Sequence, residues 1–139
     1  MNKVFFHFVD RKIRVNKIGK IKRLIILVFK NEKLSFHRLD YIFCSDQYLL
    51  SLNQKFLSHN YYTDILTFYL NKPNESIKGE IYISLDRLKE NSGKFEVSFF
   101  EELLRVLLHG ALHLCGYKDK TKKEQRLMRS IEDYYIHLF

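Results

Sequence analysis

Between Leu103 and Leu114 the chain is apolar on almost every side of the helix it would form. Leu103, Leu104, Val106, Leu107, Leu108, Ala111, Leu112 and Leu114 leave no continuous polar face. Such a helix must be enclosed by other elements rather than laid on a surface, so it sets the centre of whatever this chain builds. Two histidines interrupt it, His109 and His113. At a spacing of four they stack on one helical face and can converge on one metal ion. Gly116 then ends the helix and turns the chain back, which brings Asp119 into reach as a third ligand. Two imidazoles and a carboxylate leave one position of a tetrahedral ion open to water, the arrangement of a catalytic zinc rather than a structural one.

At such an ion, bound water ionises near neutral pH and a phosphoryl or carbonyl oxygen is polarised. In His-Glu-x-x-His peptidases the residue after the first His is the general base. Here that residue is Gly110, which accepts no proton, and this argues against a peptidase. Gly110 has two readings: room for substrate or another backbone beside the metal, or a close helix contact. Glu102 lies about 10 Å before His109 along the axis, too far to ligate. Arg105, one turn before His109, is placed to reach a substrate phosphate or to pair with Glu101 or Glu102. Cys115, roughly 200° round the helix from His113, reads as a core thiol.

At 139 residues and 46% hydrophobic, with 12 Phe and 9 Tyr, the chain is expected to form a single domain over 1–139 with its own core. No apolar run approaches the roughly 20 residues of a membrane span. The longest, Leu24 to Phe29, is flanked by Lys and Arg. The stretch Met1-Asn2-Lys3-Val4-Phe5 lacks a leader pattern, and Cys44 and Cys115 imply no disulfide framework. A cytoplasmic protein is expected. The net charge of +8 is uneven: residues 1–40 hold 11 basic and 3 acidic side chains, and the rest hold 13 of each. That asymmetry is either a solvated basic face or the footprint of a nucleic-acid surface, with Lys20, Lys22 and Arg23 as RNA-binding candidates.

The pattern predicts a strand over Val4–Val9, a basic amphipathic helix over Lys17–Lys33, and a strand from Ser35 to Cys44. A helix follows from a Ser45-Asp46 cap to about Leu57. Strands at Ile65–Tyr69 and Glu80–Ser84 flank a turn around Pro73 and are expected to pair. Helices then run over Ser98–Leu114 and Thr121–Leu138, the last with a Thr121/Glu124 capping box. The fold class implied is α+β: a four-stranded mixed sheet packed with about four or five helices, the metal site lying at the end of the buried helix.

His109-Gly-x-Leu-His113-Leu-x-Gly-Tyr117 with Asp119 resembles the signature of the YbeY family of metal-dependent endoribonucleases. Thr63-Asp64-Ile65-Leu66-Thr67-Phe68, preceded by Leu52-Asn53, is similar to a second family segment, and Gly79-Glu80-Ile81-Tyr82-Ile83-Ser84 to a third. The likeness runs from about residue 45 onward, with the first 45 residues alike only in layout. It implies a single-strand-specific endoribonuclease in late maturation of the small ribosomal subunit and 3′-end processing of 16S rRNA. One zinc ion per chain on His109, His113 and Asp119 is implied, with ribosomal RNA, the small subunit and ribosomal proteins as partners. Two departures stand out. The third ligand is usually His, and a basic residue is expected where this chain has Leu57; His59 is the nearest cationic substitute, which makes His59 and Arg105 the catalytic candidates. Two other readings of the same residues are a non-catalytic assembly factor with a structural zinc, and a zinc hydrolase acting on another bond.

Overall fold

The computed structural model describes residues 3–139. Met1 and Asn2, part of the stretch read above for a leader, lie outside the described residues. The elements run β1 (Val4–Phe8), α1 (Ile18–Asn31), β2 (Phe36–Cys44), α2 (Asp46–Leu57), β3 (Ile65–Tyr69), β4 (Ile77–Ser84), α3 (Leu85–Lys94), α4 (Phe99–Leu114) and α5 (Lys122–Leu138). The sheet order is β1-β2-β4-β3. β1, β2 and β4 are parallel, and β3 pairs antiparallel with β4 from Ile65↔Ile83 to Tyr69↔Gly79. The expected α+β class with a four-stranded mixed sheet is what forms, with five helices where about four or five were expected and four were placed, and β3 and β4 pair as expected.

Two local features differ from the sequence reading. α3 was not anticipated, because Ser84 is at once the last residue of β4 and the cap of the helix, its hydroxyl accepting from the Arg87 N–H. No turn separates strand from helix, and Leu85 and Leu88 are the only buried hydrophobics in an otherwise polar segment. β4 also starts at Ile77, not Glu80. Lys78 and Gly79 look like turn residues, yet a Cβ on Gly79 would stand 2.9 Å from the Leu114 methyls, so the glycine serves close packing within a strand.

α4 is the hub. Leu103, Leu107, Leu108, Ala111 and Leu112 are buried in one core with residues of α1, α3, α5 and the sheet. Tyr41, fully buried on β2, donates from its hydroxyl to the Leu107 carbonyl at 2.7 Å, tying helix to sheet. A Cβ on Gly110 would fall 2.7 Å from Ile81 Cδ1 and 3.1 Å from Ile65 Cδ1. Of its two readings, the close contact is the one realised: α4 rests on β3 and β4 through Gly110, and this presses the histidine face against the sheet edge. α2 packs elsewhere, Leu49 meeting Cys44 and Leu66 in a smaller second core. No helix is long and apolar enough to cross a membrane among the described residues.

Candidate metal centre

His109 and His113 project from the last two turns of α4. Cys115 and Tyr117 N–H groups close the helix by bonding back to carbonyls at Ala111 and Leu112, and Gly116 takes φ 101°, a left-handed conformation that glycine adopts without strain. The chain returns past Asp119 and enters α5 through the Thr121/Glu124 capping box. Gln125 Nε2 donates to the Asp119 carbonyl at 3.0 Å, so the backbone of the third candidate ligand is tied to the first turn of α5.

The result is three donor atoms facing one point. The two Nε2 atoms lie 3.0 Å apart, and Asp119 Oδ2 is 3.1 Å from His109 Nε2 and 3.4 Å from His113 Nε2. A tetrahedral ion with bonds of about 2.0–2.1 Å separates its ligands by roughly 3.3 Å, so the spacing suits such an ion. The outer ring nitrogens explain why a cation is wanted there. His109 Nδ1 lies 2.7 Å from Glu132 Oε2, and His113 Nδ1 lies 2.9 Å from the Tyr117 carbonyl. Both partners accept hydrogen bonds, which assigns the proton of each neutral ring to Nδ1 and leaves both Nε2 lone pairs directed at the carboxylate. Three electron-pair donors this close repel unless a proton or metal ion lies among them. His109, His113 and Asp119 therefore form a group able to bind a metal.

Glu132 is 3% exposed, and its second oxygen accepts from Arg105 Nη1 at 3.0 Å. Arg105 Nη2 donates to Asp133 at 2.7 Å. Arg105 thus pairs with α5 and not with Glu101 or Glu102. Burial lowers the His109 pKa, but the hydrogen bond and charge of Glu132, with Asp119 and Asp64, outweigh it and the net shift is upward. Burial, with the neighbouring Asp64 charge, raises the Glu102 carboxyl.

Two cavities meet at the triad. One, of 360 Å³, lies between α4 and α5 and is walled by Asp64, Glu102, Arg105, His109, Asp119 and Glu132 among others. The other, of 330 Å³, follows the edge strand β3 from Thr63 to Tyr69 and ends on His109, His113 and Asp119. Asp64, which reads equally well as a turn residue, stands on the wall of both.

The remaining candidates are not gathered here. His59 is exposed, stacks on Tyr61 with ring centres 5.0 Å apart, and lines neither cavity. Leu57 is exposed as well. Lys20, Lys22 and Arg23 lie on α1. Lys20 Nζ bonds the Phe139 carbonyl and sits 4.4 Å over its ring, which packs on Phe100 in the first turn of α4. From Phe100 to His113 is about 20 Å along the helix, so Lys20 belongs to the end remote from the triad. Cys115 is half-buried beside the core, its thiol pushed up to about 12 by burial. Glu132 and Gln125 escaped the sequence reading. For Glu132 a signal existed: it sits four residues after Met128 and three before Tyr135, a carboxylate within the buried stripe of an amphipathic helix, and such a group needs partners.

The family profile described as Endoribonuclease YbeY matches residues 7–139. The chain belongs to this family. It is 45% identical over 135 residues to the "Endoribonuclease YbeY" of Cytophaga hutchinsonii, covering 97% of this chain and 94% of the relative. It is 40% identical to the protein of that name from Karelsulcia muelleri, with 94% and 92% covered. Among solved structures, the solution structure of TM1509 from Thermotoga maritima superposes with a TM-score of 0.65 at 30% identity, covering 94% of this chain and 86% of that one. The family match therefore takes in residues 7–45 too, where the sequence resemblance was one of layout alone.

Proposed function

We propose that this chain is a metal-dependent endoribonuclease that cuts single-stranded RNA during late maturation of the small ribosomal subunit, including 3′-end processing of 16S rRNA. The carrying observation is the convergence of two Nε2 atoms and Asp119 Oδ2 within 3.0–3.4 Å at the meeting point of two cavities, in a chain of the YbeY family. One zinc ion per chain, held by His109, His113 and Asp119, would supply ionised water and polarise the scissile phosphoryl group. Glu132 and the Tyr117 carbonyl hold both rings with Nε2 free. Arg105 holds Glu132 in place from the wall of the cavity that a phosphate would enter, its guanidinium shared between Glu132 and Asp133. Asp64 and β3 flank the path of the strand. His59 and the α1 residues Lys20, Lys22 and Arg23 are proposed as more distant RNA contacts. The partners are ribosomal RNA, the small subunit and ribosomal proteins, in the cytoplasm.

Metal analysis paired with cleavage of a single-stranded fragment from the 3′ end of 16S rRNA tests this. Wild type should carry about one zinc ion per chain. His109→Ala, His113→Ala and Asp119→Ala should each lose metal and cleavage while unfolding cooperatively, because the Leu-rich face of α4 holds the fold without the ion. Asp119→His should keep metal. Full occupancy and undiminished cleavage in two of the three Ala variants would overturn the proposal.

A further inference from the structure

The first 40 residues carry the whole net charge, but that average hides a local excess. Residues 118–129 hold six basic side chains, Lys118, Lys120, Lys122, Lys123, Arg126 and Arg129, against Asp119 and Glu124. Lys122, Arg126 and Arg129 are spaced i, i+4, i+7, which puts them in one row about 10 Å long on α5. All three are exposed. They line a 620 Å³ groove with Gln125, Ser130 and Asp133. Asp133, the only acidic residue on that lining, is turned to Arg105 Nη2 at 2.7 Å and pairs with none of the three. None of the three cations forms an ion pair among the described residues.

This groove adjoins the cavity of the candidate metal site. Gln125 and Arg129 line both it and the 360 Å³ cavity that His109 and Asp119 wall. The cavity itself is acidic, with Asp64, Glu102, Asp119 and Glu132 against Arg105 and Arg129. A bound divalent ion at most balances that excess. The phosphates on either side of a scissile bond therefore need positive charge that continues beyond the cavity, and Arg129 is where the row on α5 meets it. We infer that the Lys122/Arg126/Arg129 row is the track that grips the RNA backbone next to the scissile phosphate, a role that rests on the endoribonuclease reading above. The contact is to phosphates and so is independent of base sequence.

The test compares two variants of equal charge change: Lys122→Gln/Arg126→Gln/Arg129→Gln on α5, and Lys20→Gln/Lys22→Gln/Arg23→Gln on α1. The probe is a fluorescein-labelled, unstructured 20-nucleotide 2′-O-methyl RNA, followed by anisotropy across a salt series with the metal-loaded protein. The α5 variant should lose about tenfold or more in affinity near 0.1 M salt. Its slope of log affinity against log salt should flatten by about 2, from three phosphate contacts at roughly 0.7 each. The α1 variant should lose less. Unchanged thermal unfolding would tie the loss to the surface, since the three α5 side chains are exposed. Equal losses in the two variants, or a larger loss in the α1 variant, would overturn the track while leaving the endoribonuclease reading intact. Wild type that neither binds this probe nor cleaves unmodified RNA would instead overturn the reading underneath, and the track with it.

Discussion

α1 and α5 are both amphipathic helices with basic outer faces, yet they use their charges differently. On α1, Lys20 is bound at the Phe139 carbonyl and ring, and Lys22 lies 5.6 Å over Phe6. These cations cover aromatic surface and tie α1 to Phe139 and to β1, Phe139 lying at the end of α4 remote from the histidines. On α5, Lys122, Arg126 and Arg129 stand free of ion pairs among the described residues and line a groove that shares Gln125 and Arg129 with the cavity walled by His109 and Asp119. The same helix turns Glu132 inward to His109 and Arg105. Counting charge along a sequence cannot separate these uses. Where a helix docks decides whether its lysines meet a ring or a groove.

The largest expected effect sharpens this contrast from the inner face of α5. Glu132→Gln keeps the size of the side chain but weakens the acceptor that holds His109 Nδ1–H. Zinc affinity, read by competition with a chromophoric chelator, should fall about 10–100-fold with the fold retained. Affinity equal to wild type would mean that α5 contributes nothing to the centre beyond its capping loop.

A second effect follows from protonation. The His109 pKa is raised, so its proton is held until pH climbs through that raised value. In the metal-free protein the stability linked to this proton is fully present below the ordinary His value near 6.5 and is lost as pH rises through the raised one. Metal needs the deprotonated ring, so the gain in melting temperature from added zinc should shrink on going from about pH 8 to about pH 6. Glu132→Gln should narrow that difference, because it removes the main source of the upward shift. An α1 substitution should leave the profile alone. A profile moved as far by Lys20→Gln as by Glu132→Gln would break the contrast.

The smallest effect belongs to α1. Lys20→Gln removes a cation from the Phe139 ring and should cost about 0.5 kcal/mol of stability at an exposed site. Denaturant unfolding reads this. Replacements on the outer face of α5 should leave the unfolding midpoint where it is. A clear loss of stability in the α5 variant, with none in Lys20→Gln, would reverse the assignment of structural and functional charge.

Much of the architecture was legible because local rules and tertiary demands agree. The capping box at Thr121 and the Ser45 cap each specify the start of their helix within a residue or two. α3 was illegible because its cap is the last residue of a strand and its buried face is two leucines wide. The convergence of His109, His113 and Asp119 was legible because i, i+4 spacing and a glycine turn fix three donors within 11 residues of chain. Its supports were not, since Glu132 reaches His109 across 23 residues.

The sequence by itself determined that α4 is enclosed, that its two histidines share a face, and that Gly116 turns Asp119 back towards them. These follow from periodicity and from backbone preferences, which act over a turn or two of chain. Only the tertiary structure decided which reading of Gly110 holds, that Arg105 pairs with Glu132 and Asp133, and that α5 rather than α1 borders the metal cavity. Those outcomes depend on which surfaces meet when five helices pack on four strands, and packing contacts carry no fixed separation in sequence.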